Sequence, residues 1–98
     1  MISSNEQDLT RLWDIHQAAE WPVGVGFHEG ELMTLDTVVS GCAAYYFEER
    51  ELDPQRVAIL EDCLSDLEAV LPELSEASLD YFERVKQLGG LLLETGRR

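Results

Sequence analysis

The clearest pattern of apolar and polar positions lies between residues 53 and 71, which read DPQRVAILEDCLSDLEAVL. Apolar side chains recur there every three or four positions, the period of a helix with one buried face. They are Val57, Leu60, Leu64, Leu67 and Leu71, with Cys63 and Val70 beside them. The opposite side carries the small residues Ala58, Ser65 and Ala69, bordered by Glu61, Asp62, Asp66 and Glu68. Because small side chains let a second backbone approach, we expect this helix to pack on more than one side.

The same periodicity predicts four helices in total, at about residues 4–20, 34–51, 54–71 and 76–94. Capping residues precede each of them: Ser3 in the pattern Ser3-Ser4-Asn5-Glu6, Thr34, Asp53 followed by Pro54, and Ser75. Pro22 and Pro72 follow the first and third helices, where a residue without an amide hydrogen ends the helical hydrogen bonding. The second helix also has a side of small residues: Thr37, Ser40, Gly41 and Ala44.

Residues 21–33, WPVGVGFHEGELM, interrupt the helical pattern and hold three of the seven glycines. Apolar residues alternate with glycine there, which fits either an ordered loop or a short β-hairpin that turns around His28-Glu29-Gly30. We expect an ordered loop with some hairpin character. Since loops carry function more often than the elements they join, this segment is also a candidate ligand site.

These elements predict an all-α fold, either a four-helix up-and-down bundle or paired helical hairpins, in one domain spanning residues 1–98. The second and third helices each have an apolar face and a face of small residues, and a monomer would leave one of these faces uncovered. We therefore expect a homodimer or another covering partner. Gly89 and Gly90 lie within the fourth helix, where they either allow a kink or let a neighbouring element come very near.

Charge narrows the possible partners. The chain has 7 Lys and Arg against 20 Asp and Glu, a net charge of −13. Such a surface repels nucleic acid, because nucleic-acid binding depends on basic side chains that neutralise phosphates. It attracts basic proteins, including those that bind nucleic acid themselves. Acidic charge that serves only solubility, or adaptation to salt, would produce the same composition.

The location is expected to be the cytoplasm. Cys42 and Cys63 fall on apolar helix faces, which predicts buried, reduced thiols, although a disulfide would form if the two positions faced each other. No apolar run approaches the ~20 residues that a membrane-spanning helix needs, and no basic-then-apolar segment opens the chain. We therefore expect no membrane association.

Candidate chemistry is sparse. His16 and Glu20 stand one helical turn apart, and His28 with Glu29 and Glu31 adds possible ligands in the loop. His16 also lies among apolar residues, where a histidine is more often packed than metal-bound. No nucleophile, nucleotide or metal motif stands out, so we expect no enzymatic activity, no metal and no cofactor.

The cluster Tyr45-Tyr46-Phe47 near the end of the second helix is the best candidate for a binding surface. Its aromatic rings would provide contact area, and neighbouring carboxylates would attract a basic partner. The candidate partner-binding residues are Tyr45, Phe47, Glu48, Glu49, Glu51, Glu61, Asp62, Asp66 and Glu68. Alternatively, Phe47 covers the end of the bundle or fills a dimer contact.

Two functions follow. The first is a small acidic interaction module that binds a basic protein, in the manner of an inhibitor or an immunity protein. The second is a structural or ligand-binding homodimer subunit that uses the loop at residues 21–33. Its ligand candidates are His16, Glu20, Phe27, His28 and Glu29, with Trp13 and Trp21 lining the same cavity.

Overall fold

The computed structural model describes residues 4–23 and 25–96. Its helices are α1 (Ser4–Ala18), α2 (Glu29–Glu49), α3 (Pro54–Val70) and α4 (Glu76–Gly96). Short 3₁₀ turns at Gly26–His28 and Leu71–Glu73 precede α2 and α4. The described residues contain no strand, which confirms the all-α prediction.

The core lies where α2, α3 and α4 contact one another, while α1 packs mainly against α4. Every helix contributes apolar side chains that are wholly inaccessible to solvent: Leu9, Leu32, Val39, Leu60, Leu67, Phe82, Val85, Leu88 and Leu92. Removing this apolar surface from water is the main stabilising contribution in a chain of this size.

The start of α3 matches the sequence prediction. The Arg56 amide donates a 2.7 Å hydrogen bond to Asp53 Oδ1, and the Arg56 guanidinium donates to Asp53 Oδ2 at 2.5 Å. The hydrogen bond from the Arg56 amide and the Arg56 guanidinium both hold the pKa of Asp53 below its ordinary value. Asp53 therefore caps the helix as a carboxylate, and Pro54 occupies the first turn, where no amide hydrogen is needed.

The second helix begins earlier than the sequence suggested. Residues 29–33, expected in the loop, form the first turn of α2, so the short β-hairpin is not confirmed. Thr34 is not its cap, because it lies inside the helix and its hydroxyl donates to the Gly30 carbonyl at 3.1 Å. The first helix ends at Ala18, two residues before the predicted end. The capping role expected of Ser3 falls outside the described residues.

Glycines let α4 approach its neighbours at two points. A Cβ on Gly89 would lie 2.6 Å from Leu64 Cδ2, so the absence of a side chain allows α3 and α4 to come close. A Cβ on Gly96 would lie 2.9 Å from Leu52 Cγ. By contrast, Gly90 faces open space, so only the first of the two adjacent glycines makes the predicted close contact.

Most of the small residues on the second sides of α2 and α3 are exposed: Ala58, Ser65, Ala69, Thr37, Gly41 and Ala44. Ser40 differs, because it is half-buried and its Oγ lies 3.2 Å from His16 Nε2 of α1. Within the part of the chain that the structure describes, the second packing contact expected for α3 is therefore not made, and that of α2 is made only at Ser40. None of the helices described is both long and apolar enough to cross a membrane.

Candidate functional site

The outer face of α3 carries a concentrated negative charge. Glu61, Asp62, Asp66 and Glu68 are all exposed, and they flank the small residues Ala58, Ser65 and Ala69. A helix rises about 1.5 Å per residue, so these four carboxylates are spread over about 10 Å of helix axis. Glu68 also forms an ion pair with α4, where Lys86 Nζ lies 3.7 Å from its Oε1. We call this surface, residues 58, 61, 62, 65, 66, 68 and 69, the acidic face.

A groove opens at the N-terminal end of the acidic face, between the end of α2 and the start of α3. Its volume is about 470 Å³, and its lining combines apolar and acidic side chains: Tyr45, Glu51, Leu52, Asp53, Pro54, Val57, Ala58 and Glu61. The groove brings together three of the predicted partner-binding residues, Tyr45, Glu51 and Glu61, and it is also lined by Asp53, the cap of α3.

The groove chemistry suits a cationic side chain. The Arg56 guanidinium carbon already lies 3.8 Å from the centre of the Tyr45 ring, while the same group is ion-paired with Asp53. A ring face and a carboxylate each attract a guanidinium or ammonium group. The molecule thus contains an internal example of the contact that a basic partner could make here.

Phe47 lies apart from this groove. Its ring stacks on Trp13 of α1 with centres 6.5 Å apart and planes inclined by 16°, and it meets Tyr46 edge-on at 5.3 Å. Phe47 is therefore half-buried at a contact between α1 and α2. Glu48 and Glu49 are exposed at the same helix end, and they do not line the groove.

His16 belongs to a buried polar cluster that connects three helices. Its Nε2 lies 2.7 Å from Asp36 Oδ1 and 3.2 Å from Ser40 Oγ, both on α2. From α4, the Tyr81 hydroxyl donates to Asp36 Oδ2 at 3.0 Å. Burial, together with the nearby Asp36 carboxylate, raises the pKa of Tyr81. The partner expected for His16, Glu20, is instead exposed beyond the end of α1.

Ser40, His16 and Asp36 are the residue types of a nucleophilic triad, but their geometry differs from one. In a triad the acid and the nucleophile contact different nitrogens of the imidazole. Here both approach Nε2, and Nδ1 is buried without a hydrogen-bond partner. The arrangement lacks the carboxylate contact at Nδ1 that orients the histidine of a triad, and it forms a polar contact between the helices.

The loop candidates do not converge on one site. His28 Nδ1 lies 3.7 Å from Glu31 Oε2, and His28 Nε2 lies 3.5 Å from Glu73 Oε1. Glu29 accepts a 3.4 Å hydrogen bond from the Trp21 indole. Phe27 is fully exposed, so the cavity expected between it, His16 and His28 is not formed. Within residues 4–23 and 25–96, no three His, Cys, Asp or Glu side chains are grouped as a metal site would require.

Both cysteines are free and buried. Burial raises the pKa of Cys63 to about 11 and raises that of Cys42 as well. Since the thiolate is the reactive form, these thiols are poor nucleophiles at neutral pH. Cys63 Sγ donates to the Leu35 carbonyl at 3.4 Å, which gives it a structural contact between α3 and α2.

Comparison of the chain with models of protein families, with curated proteins and with solved structures finds no match.

The sequence analysis missed Asp36 and Tyr81 as members of the polar cluster. A signal was present for Asp36, because it stands between Leu32 and Val39 at helical spacing, within an apolar stripe. A carboxylate in such a stripe needs a buried polar partner.

Proposed function

We propose that this protein is a small non-enzymatic interaction module that binds a basic protein through the acidic face of α3 and the groove at its end. The observation that carries the proposal is the division of α3 into two faces. One face is buried in the core, and the other exposes four carboxylates around small residues. The four helices form an up-and-down bundle that holds this face rigid, and the protein works in the cytoplasm, where its two thiols stay reduced.

Electrostatic attraction would bring the partner to this face. The screening length at physiological salt is about 8 Å, similar to the axial spread of the four carboxylates, so an approaching basic surface would feel them together. Concentrated charge of one sign mainly raises the association rate. Nucleic acid, which is itself anionic, is disfavoured by the net charge of −13.

The groove would supply the specific contact. An arginine or lysine side chain from the partner would lay its aliphatic part along Val57 and Pro54 and place its charged end beside Glu51 and Glu61. Binding of this kind would block the basic surface of the partner, which is how an inhibitor or an immunity-type binder of a nucleic-acid-binding protein would act.

The test is capture of partners by the full chain from its native host, identification by mass spectrometry and measurement of binding to the purified partner. We expect a basic protein whose association rate falls steeply as salt is added. Neutralising the acidic face with E61Q, D62N, D66N and E68Q should reduce that rate at least tenfold and flatten its salt dependence.

A matched control removes the same number of charges elsewhere, with D14N, E76Q, D80N and E83Q on exposed positions of α1 and α4. This control should retain most of the association rate. Equal losses in the two variants would mean that only net charge matters, and a captured partner with no basic surface would contradict the proposal.

A homodimer is the second candidate. A shallow groove of about 330 Å³ between α2 and α3 is lined by Thr37, Val38, Gly41, Cys42, Gln55, Arg56 and Ile59. Two copies could pack against each other at this groove, where Thr37 and Gly41 leave room for a second backbone. Sedimentation equilibrium separates the candidates, because a dimer at micromolar concentration that is disrupted by Gly41→Leu would assign this face to self-association.

A further inference from the structure

Most of the exposed large apolar side chains belong to one segment of the sequence. Among the described residues, six large apolar side chains are at least about a third exposed: Ile15, Trp21, Val23, Phe27, Met33 and Ile59. Four of the six lie within residues 21–33, where Phe27 is fully exposed and Val23 is 88% exposed. Among them, the Phe27 ring presents the largest apolar surface that is wholly in water, and an ordered segment that exposes such a ring is a candidate interaction site.

Phe27 projects from a segment that is fixed on both sides. Val25, two residues before it, is buried in the core. Trp21 packs edge-on against Tyr81 and Phe82 of α4, with ring centres 5.6 Å apart in each case. Directly after the 3₁₀ turn, α2 begins at Glu29. The backbone that carries the ring is therefore held by the fold, so little backbone freedom would be lost when a partner covers the ring.

The surroundings of Phe27 are acidic. Glu29, Glu31 and Glu73 are exposed nearby, and the contact between His28 and Glu73 places the turn against the C-terminal end of α3. The groove lies at the other end of that helix. A second copy of the chain would bring the same carboxylates towards this ring and be repelled, whereas a basic surface would be attracted.

We propose that Phe27 is the apolar anchor of the complex, and that it enters an apolar pocket rimmed by arginine or lysine on the basic partner. This inference rests on the proposed function, to which it adds a second contact and a division of roles. The carboxylates of the acidic face speed association, and the Phe27 ring, once desolvated in the pocket, slows dissociation. Aromatic side chains that fill a partner's pocket commonly contribute much of the affinity of an interface.

The experiment measures association and dissociation rates of the purified partner with the wild-type chain, F27A and F27L. We expect F27A to raise the dissociation rate at least about tenfold while it leaves the association rate and its salt dependence within about twofold, because most single interface substitutions act on dissociation. F27L, which retains an apolar group, should give a smaller increase. Neutralising the acidic face should show the opposite pattern, with the association rate reduced.

The possible outcomes distinguish failure of the Phe27 anchor from failure of the proposed function. A partner that binds F27A and the wild type with the same dissociation rate overturns the anchor and leaves the acidic face in place. Failure of the wild-type chain to capture any basic protein overturns both. If the wild type is a dimer in sedimentation and F27A is a monomer, the ring is covered by a second copy, and the anchor proposal is wrong. Thermal unfolding of F27A should match the wild type, which confirms that altered binding does not come from misfolding.

Discussion

Phe27 and Phe47 are the same residue type, each followed closely by glutamates, and the structure treats them in opposite ways. Phe47 is half-buried, with Trp13 stacked on its ring, whereas Phe27 lies fully in solvent. The difference comes from the neighbouring elements. The end of α2 lies beside α1, which provides a flat aromatic partner, while the turn at Gly26–His28 has no helix on its outer side. An aromatic residue beside acidic ones is thus available to a partner only when the fold leaves its ring uncovered.

The largest expected effect is on stability at Phe47. F47A removes the ring that joins α1 to α2 and should lower the free energy of unfolding by about 2–3 kcal/mol, somewhat less than for a wholly buried phenylalanine. F27A, which removes a ring already in water, should change it by less than about 0.5 kcal/mol. Urea unfolding followed by circular dichroism measures both. Equal destabilisation by the two substitutions would show that Phe27 is covered in solution.

Tyr81 contacts both the polar cluster of His16 and the segment that precedes Phe27, so it allows a finer test. Its hydroxyl donates to Asp36 of α2, and its ring packs against Trp21, which lies between α1 and the turn at Gly26–His28. Y81F should keep the ring contact and lose the bond to a carboxylate, at a cost of about 1.5 kcal/mol at neutral pH. The ordering of Trp21 should be unchanged, as monitored by tryptophan fluorescence.

Y81F should also change how the stability of the protein depends on pH above pH 10. Burial and Asp36 raise the pKa of Tyr81 above its ordinary value of 10.0. The folded state therefore keeps a proton that the unfolded state loses above pH 10, and wild-type stability falls as pH rises past that point. Y81F lacks this titration, so the gap in stability between the two proteins should narrow above pH 10. A gap that stays constant to pH 11 would show that the hydroxyl is not buried against Asp36.

The smallest effect concerns the turn that presents Phe27. Gly26 has a positive φ of 76°, a conformation that costs a residue with a side chain about 1 kcal/mol. G26A should therefore lower stability by about that amount. Gly30, in the first turn of α2 with open space around it, is the matched control, and G30A should be neutral or slightly stabilising. If both substitutions stabilise the protein, the turn does not have this geometry.

Periodic sequence features predicted most of the fold. The apolar stripe of α3 and the pair Asp53-Pro54 are local signals, and the structure has the helix start that they indicate. The start of α2 was predicted too late because Gly30 and Thr34 resemble a turn and a cap. Leu32, three residues before Leu35, continues the apolar stripe and could have corrected this, since threonine is tolerated inside a helix when its hydroxyl bonds to a preceding carbonyl.

The candidate site was harder to predict, because it depends on contacts between distant parts of the chain. Tyr45, Glu51 and Glu61 meet only when α2 and α3 fold against each other. Asp36 meets His16 across 20 positions of sequence, and no local pattern fixes that pairing. Likewise, apolar character alone does not show whether a phenylalanine is covered, since that depends on which helix lies beside it.

The backbone between α2 and α3 also contacts the C-terminal end of α4. The Leu52 amide donates to the Gly96 carbonyl at 3.0 Å, and the Leu52 side chain lines the groove. One amide proton thus reports on two events at once, the docking of the C-terminal turn of α4 and occupation of the groove. Its hydrogen-exchange rate, followed by nuclear magnetic resonance, would reveal a side chain bound in the groove before the partner protein is identified.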